Sequence, residues 1–237
     1  MTDPITFVLV HGAWHGGWCY GRVRDILCAQ GHRVFTPTLT GLGERSHLMS
    51  SAINLDTHIT DVVNVMKWEN LENVVLCGHS YGGWIVSGVA EQMLDRIASI
   101  IFLDAYMPED GDSGQTIGSA FTRESIAKAQ EADKVSRPGP TAEKFLVASA
   151  KDQAWVDSKT TEQPLGVSLQ PIKLTGARDR IPKKSYIRAA PYENPAFDSY
   201  LENCAADPSW TTYSLPCGHD IMVDMPDRLA EILIEVA

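Results

Sequence analysis

The stretch Val74-Val-Leu-Cys-Gly-His-Ser-Tyr-Gly-Gly83 decides the fold. Val74–Cys77 is an apolar run of strand length, and a helical pattern runs from about Tyr81 to Leu94. Between them lies Gly-x-Ser-x-Gly, whose glycines permit a strained strand-to-helix turn that exposes the Ser80 hydroxyl. The positive end of the following helix favours negative charge at this point. In this context the motif predicts a nucleophilic serine rather than an ordinary glycine-rich turn.

Short apolar runs alternate with helical patterns along most of the chain. The predicted strands are Ile5–Val10, Arg33–Thr36, Val74–Cys77, Ser99–Leu103, Ser185–Ala189 and Trp210–Leu215. The predicted helices include Trp18–Gln30, Leu55–Trp68 and a C-terminal amphipathic helix with Leu229, Ile232, Leu233 and Val236 on one face. This alternation predicts an α/β fold with a mainly parallel sheet and helices on both of its faces.

The stretch 107–184 breaks the alternation. It is rich in glycine, proline and charged residues and has weak periodicity. Long insertions between core strands often cover or shape a substrate site. We therefore expect a core made of residues 1–106 and 185–237 and an inserted lid made of residues 107–184. A long surface loop without a substrate role is the alternative.

His219 is the predicted general base. It follows the last predicted strand, precedes the C-terminal helix and satisfies the chain order Ser, acid, His. None of the other six histidines has both this order and this context.

The stretch His11-Gly-Ala-Trp-His-Gly-Gly-Trp18 follows the first predicted strand. A glycine-rich loop at this place supplies one backbone N–H to an oxyanion hole, and the residue after the nucleophile supplies another. We assign these roles to the amides of Ala13 and Tyr81. The loop has neither GxGxxG nor Gly-Lys-Ser/Thr, so a phosphate-binding loop is not indicated.

Five segments of the chain resemble a known group of enzymes. They are Phe7-Val-Leu-Val-His-Gly-Ala13, His15-Gly-Gly-Trp18, Gly78-His-Ser80, Phe102-Leu-Asp-Ala-Tyr-Met-Pro108 and Gly218-His219. They are similar to plant methyl-salicylate and methyl-jasmonate esterases, the related hydroxynitrile lyases and similar bacterial esterases. The resemblance covers most of the core and implies an α/β-hydrolase fold with a helical cap and no metal. The lyases carry a threonine and a lysine where this chain has Gly12 and Asp220, which favours the esterases.

The acid of the triad has three candidates. The fold usually places it after the strand before the last one, where the plant esterases carry an aspartate and this chain offers only Glu193. Asp179 lies in a suitable turn, but it precedes a predicted strand. Asp104 follows Ser99–Leu103, where some haloalkane dehalogenases of this fold place their acid. We favour Asp104, since a charged residue that ends a buried strand needs a partner and His219 could supply one.

Composition restricts the partners. The 237 residues fit one soluble domain, and the net charge of −10, without a basic cluster, disfavours nucleic-acid and anionic-membrane partners. The five cysteines include no CxxC pair, and the N-terminus has no recognisable targeting segment. We expect a cytoplasmic protein with reduced thiols, no cofactor and a small-molecule substrate; a homodimer is left open.

The predicted function is that of a serine hydrolase that cleaves a small apolar or aromatic carboxylic ester by two-step acyl transfer through Ser80. Trp14, Tyr106, Phe121 and Trp155 are candidates to line its apolar pocket. Hydrolysis of a carbamate or lactone is one alternative, and carbon–carbon bond cleavage by the same serine and histidine is another. A ligand receptor with little turnover is a third.

Overall fold

Six parallel strands form the central sheet in a computed structural model that describes residues 3–237. The strands of the chain are β1 (Thr6–Val10), β2 (Arg33–Phe35), β3 (Val74–His79), β4 (Ile97–Leu103), β5 (Ser136–Arg137), β6 (Gln163–Pro164), β7 (Lys183–Ala189) and β8 (Trp210–Leu215). The order in the central sheet is β2-β1-β3-β4-β7-β8. The two short strands β5 and β6 pair antiparallel in a separate ribbon.

Helices flank the sheet. They are α1 (Gly21–Ala29), α2 (Leu55–Trp68), α3 (Gly82–Met93), α4 (Gly114–Ile117), α5 (Ala120–Glu131), α6 (Ala150–Lys159), α7 (Gly166–Leu169), α8 (Pro195–Ala206), α9 (Ile221–Asp224) and α10 (Pro226–Glu235). Helix α1 packs against α10, α2 packs against α3, and α8 packs on β7 and β8. No helix within residues 3–237 has both the length and the apolar character needed to cross a bilayer.

The core follows from the apolar runs. Every residue of β1 and β3 is buried, as expected for parallel strands that are covered on both faces. Helix α2 begins at a capping box in which Asn54 and Thr57 satisfy each other's backbone N–H groups. Its apolar face then joins the core. The predicted α/β-hydrolase architecture is confirmed.

The stretch between β4 and β7 contains α4–α7 and the β5–β6 ribbon. Its predicted end at residue 184 is two residues too late, because β7 already begins at Lys183. Two consecutive lysines look like loop in a sequence, but Lys184 is buried and its Nζ donates to the carbonyls of Asp179 and Ile181 at 3.4 and 3.3 Å. The carbonyls satisfy the charged group inside the strand.

Parallel strands bring the predicted site together. The loops after β1, β3, β4 and β8 carry Ala13, Ser80, Asp104 and His219 in that order. The carboxyl ends of parallel strands lie at the same edge of a sheet, where ligands bind in open α/β folds.

Candidate active site

Ser80 lies at a sharp turn between β3 and α3. Its backbone has φ of 53°, a left-handed conformation that is uncommon for residues other than glycine. The Ser80 N–H donates to the carbonyl of Leu103 at 3.2 Å, and the Ser80 carbonyl accepts from the N–H groups of Gly83 and Tyr106 at 3.1 and 3.2 Å. These bonds hold the strained turn from the neighbouring strand end, as in a nucleophile elbow.

Glycines at positions 78 and 82 are required by close backbone contacts. A Cβ atom at Gly78 would lie 2.5 Å from the carbonyl oxygen of Gly82, and one at Gly82 would lie 2.8 Å from that of Val10. Any side chain at either position would therefore displace the backbone of the turn. The packing explains why the motif needs both glycines around Ser80.

His219 and Asp104 form a buried pair. The Nδ1 atom of His219 lies 2.6 Å from Oδ2 of Asp104, and both side chains are almost completely buried. Because a carboxylate accepts hydrogen bonds, Nδ1 carries the proton and Nε2 is left to accept one. The ring of Tyr192 stacks on the imidazole with centroids 4.3 Å apart, which restricts its orientation.

Ser80 and His219 line the same cavity. Within residues 3–237 no hydrogen bond of 3.5 Å or less joins their side chains. Catalytic hydrogen bonds of free enzymes are often long and tighten in the substrate complex.

Arg188 was missed by the sequence analysis, although it fixes Asp104. Its Nη1 atom donates to Oδ1 of Asp104 at 2.7 Å, and the backbone N–H of Ala189 donates to the same oxygen at 3.0 Å. Asp198 and the carbonyl oxygens of Ala189 and Tyr192 satisfy the rest of the guanidinium. An arginine inside an otherwise apolar predicted strand was the signal, because a buried charge needs a partner.

The other two acid candidates lie elsewhere. Asp179 is exposed in a short 3₁₀ helix, Arg178–Arg180, and Glu193 is exposed in the loop after β7. Of the three candidates, Asp104 is the one that contacts His219.

Ala13 and Tyr81 line the same cavity as Ser80. In the described part of the chain neither N–H donates to another protein group. Two free N–H groups beside a serine are suited to stabilise a developing oxyanion. The structure is therefore compatible with the roles predicted for them.

A second buried pair supports the loop that carries Ala13. The Nε2 atom of His15 lies 3.2 Å from Oδ2 of Asp220, and its Nδ1 atom lies 2.8 Å from the carbonyl oxygen of Ala13. Both partners are acceptors, so both ring nitrogens donate and His15 is an imidazolium. Burial alone would lower the pKa of His15, but the charge and hydrogen bond of Asp220 outweigh it and raise that pKa.

The cavity has a volume of about 300 Å³ and mainly apolar walls with several aromatic side chains. Trp14, Tyr106 and Phe121 line it, as the sequence analysis predicted, and its other aromatic residues are Tyr81, Trp84, Phe145, Tyr192 and Phe197. The prediction for Trp155 is wrong. Its ring packs edge-on against Trp18 at 5.0 Å and lies under the guanidinium of Arg22, so it joins the inserted segment to the core outside the cavity.

The β5–β6 ribbon holds the loop that carries Ala13 from the other side. Oε1 of Gln163 accepts from the N–H of Trp14 at 2.9 Å, and the carbonyl of Arg137 accepts from the Trp14 indole at 3.3 Å. Trp14 has φ of 66°, so these bonds stabilise a strained residue. No motif marks Gln163 or Arg137, because both lie in the weakly patterned insertion.

Comparisons with known proteins identify the family of the chain. A family model described as the alpha/beta hydrolase family matches residues 7–232. The chain is 40% identical to a carbendazim hydrolyzing esterase of Nocardioides sp. (strain SG-4G), over 96% of this chain and 97% of the relative. It is 30% identical to Methylesterase 10 of Arabidopsis thaliana, over 76% of this chain and 70% of the relative.

A solved structure of an extracellular alpha/beta-hydrolase from a Paenibacillus species matches with a TM-score of 0.84. The two chains are 25% identical, and the match covers 99% of each. That protein is described as sharing structural and functional homology with tobacco Salicylic Acid Binding Protein 2. The chain of 237 residues belongs to the α/β-hydrolase family.

Proposed function

We propose that Ser80, His219 and Asp104 are the catalytic triad of this protein. The protein is a carboxylic-ester hydrolase of the α/β-hydrolase type, in agreement with its esterase relatives. The observation that carries the proposal is the combination of a serine at a strained strand-to-helix turn with a histidine whose Nδ1 is bonded to a buried aspartate. Both Ser80 and His219 face one aromatic cavity.

The reaction proceeds by two acyl transfers. Nε2 of His219 takes the Ser80 proton while Oγ attacks the ester carbonyl, and the Ala13 and Tyr81 amides stabilise the oxyanion. The imidazolium then protonates the leaving alcohol. Water repeats these steps on the acyl-enzyme, releasing the acid and restoring Ser80.

The cavity supports a small apolar or aromatic ester as substrate. Its volume of about 300 Å³ and its aromatic walls suit a compact apolar group. Phe121 and Phe145 come from the inserted segment, which supports the proposal that the insertion predicted at residues 107–184 forms a lid over the site. A cytoplasmic location and the absence of nucleic-acid and membrane partners stay predictions from composition.

A carbamate is the second candidate substrate. A relative at 40% identity is named for the hydrolysis of carbendazim, a methyl carbamate. The same serine attack on a carbonyl applies to both ester types.

Cyanohydrin cleavage is disfavoured by the packing at Gly12. A Cβ atom there would lie 2.8 Å from Nδ1 of His79 and 3.0 Å from Cβ of Ser80, so the threonine of the lyases does not fit without a shift.

Ser80→Ala tests the proposal. Wild-type protein should release p-nitrophenol from p-nitrophenyl butyrate and benzoate and should be labelled by a fluorophosphonate. Ser80→Ala should lose the label and about 10⁵- to 10⁶-fold in kcat. Ser199→Ala, at an exposed serine of α8, is the matched control and should keep both signals. A folded wild-type protein without label or turnover would contradict the proposal and favour a receptor.

A further inference from the structure

The cavity beside Ser80 has a charge opposite to that of the whole protein. Arg137 and Lys144 line it, whereas no aspartate or glutamate of residues 3–237 does so. The complete chain carries a net charge of −10. The cavity is therefore locally positive although the protein as a whole is acidic. A positive cavity favours the binding of an anionic group.

Arg137 is the informative cation because it is buried. Its residue is 3% exposed, and its Nε and Nη1 atoms have no hydrogen-bond partner among the described residues. The Nη2 atom has a long contact of 3.4 Å to Oγ of Ser168. None of the ion pairs formed within residues 3–237 includes Arg137.

Arg188 shows how the same protein treats a buried guanidinium elsewhere. Asp104, Asp198 and two carbonyl oxygens satisfy its N–H groups. A buried charge without such partners is unfavourable unless a ligand supplies them. Arg188 therefore has its partners within the protein, whereas Nε and Nη1 of Arg137 have none among the described residues.

The Arg137 side chain is held in place from two sides. Its backbone is fixed in β5, paired with β6, and its guanidinium lies over the Trp14 ring at 4.8 Å from the centroid. This cation–π contact consumes no N–H group of the guanidinium, and Nε and Nη1 stay without a hydrogen-bond partner. Burial lowers the pKa of Arg137 to about 10, so the group stays charged at neutral pH.

We propose that Arg137 binds a carboxylate carried by the substrate, which makes half-esters of apolar or aromatic dicarboxylic acids the preferred substrates. The proposal rests on the proposed ester hydrolysis at Ser80. A planar guanidinium matches a carboxylate, and the aromatic walls of the cavity accommodate the apolar part that joins the two carboxyl groups. Water adds across the ester bond, so the products are a dicarboxylate and an alcohol.

The test compares charged and neutral esters. Monomethyl adipate and monomethyl isophthalate are each paired with the methyl ester whose free carboxylate is replaced by a primary amide. The ratio of kcat/KM, charged over neutral, is measured by chromatography of the acid product for wild type, Arg137→Gln and Arg137→Lys. Arg180→Gln removes the same charge at an exposed residue of the inserted segment and is the matched control.

We expect wild type to prefer the carboxylate and Arg137→Gln to lower the ratio by about 10- to 100-fold, the range for a charged hydrogen bond. Arg137→Lys should fall between them, and Arg180→Gln should keep the wild-type ratio. A wild-type ratio at or below one, or a ratio that folded Arg137→Gln leaves unchanged, would overturn the proposal.

A binding measurement separates this proposal from the catalytic one. Ser80→Ala is titrated with monomethyl isophthalate by calorimetry, with and without Arg137→Gln. Binding that weakens by about 10- to 100-fold in the double variant supports the carboxylate subsite even if no ester is cleaved. Equal binding by the two variants rejects the subsite and leaves ester hydrolysis at Ser80 standing.

Discussion

Two buried aspartates act on different parts of the site, and their surroundings differ. Asp104 accepts a hydrogen bond from His219 and forms an ion pair with the guanidinium of Arg188. Asp220 bonds to His15, and its Oδ1 atom has no hydrogen-bond partner in residues 3–237. Asp104 therefore contacts the proposed base itself, whereas Asp220 is connected to the site through His15 and the carbonyl of Ala13.

The two regions differ in the number of hydrogen bonds that hold the groups proposed for catalysis. Among residues 3–237, the His219 ring has one hydrogen bond, that to Asp104, beside the stacked ring of Tyr192. The loop proposed to form the oxyanion hole is held by His15 at Ala13 and by Gln163 and the Arg137 carbonyl at Trp14. A change at Asp104 should therefore reduce catalysis strongly, and a change at any one support of the loop should reduce it weakly.

The largest effect is expected for Asp104→Asn. The amide oxygen stays with the donors of Arg188 and Ala189, so the amide NH2 faces Nδ1 of His219 and donates to it. The ring proton then lies on Nε2, which can no longer accept the Ser80 proton. We expect kcat to fall about 10⁴-fold. Breaking a buried ion pair typically costs about 3 to 5 kcal/mol of the free energy of unfolding. The loss should be smaller here, because Asp198 still pairs with Arg188. Ester kinetics and urea denaturation measure the two quantities.

Asp198→Asn is the control for that change. It removes an exposed carboxylate from the same guanidinium and leaves the bond between Asp104 and His219 in place. Its kcat should stay within about threefold of wild type, as expected for a change outside the reacting groups. Equal loss of turnover in both variants would show that Arg188, and not the link to His219, is what the site depends on.

A smaller catalytic effect is expected for Asp220→Asn, which should act mainly on stability. The amide can still donate to a neutral His15, so Nδ1 keeps its bond to Ala13. We expect kcat within about tenfold of wild type and a free energy of unfolding lower by about 2 kcal/mol, the scale of a charged hydrogen bond.

The pH dependence of stability sharpens this prediction. Burial would raise the pKa of Asp220, but the charge and hydrogen bond of His15 outweigh it and lower that pKa to about 2. The aspartate's contribution is therefore complete above its unfolded pKa of about 4 and is lost as the pH falls toward 2. His15 has a raised pKa, so its contribution is complete below about pH 6.5 and is lost as the pH rises through the raised value.

Wild type should thus exceed Asp220→Asn most between about pH 4 and 6.5, where both contributions are complete. Urea denaturation from pH 3 to 9 measures the difference. A difference that does not vary with pH would show that the pair is not charged, and the assignment of His15 as an imidazolium would be wrong.

The sheet and the approximate position of the site could be predicted, since both have local signals. Buried parallel strands are continuous apolar runs, and the turn at Ser80 needs glycines that the sequence displays. Asp104 was favoured because a charge at the end of a buried strand needs a partner, and the structure places it against His219.

The walls and supports of the cavity could not be predicted, because they depend on contacts between distant parts of the chain. Trp14 contacts Arg137 and Gln163, which lie more than a hundred residues away. The helical position of Trp155 is compatible with either side of the insertion, and its packing against Trp18 decides the matter. Aromatic content predicts an apolar contact without identifying the partner.

The smallest effect is expected for the oxyanion loop's contact with the β5–β6 ribbon. Gln163→Met removes the acceptor for the Trp14 N–H at similar volume, whereas Gln163→Glu keeps an acceptor at that place. Since His15 and the Arg137 carbonyl still hold the loop, kcat in Gln163→Met should fall about three- to tenfold, the scale of one neutral hydrogen bond. Gln163→Glu should recover most of that loss. Steady-state kinetics on p-nitrophenyl butyrate separate kcat from KM, and Gln153→Met, at a glutamine of α6, is the matched control.

A double variant tests whether the two supports of the loop can replace each other. If they can, Asp220→Asn combined with Gln163→Met should lower kcat by a larger factor than the product of the two single factors. Strict multiplication would mean that each support acts on the loop independently.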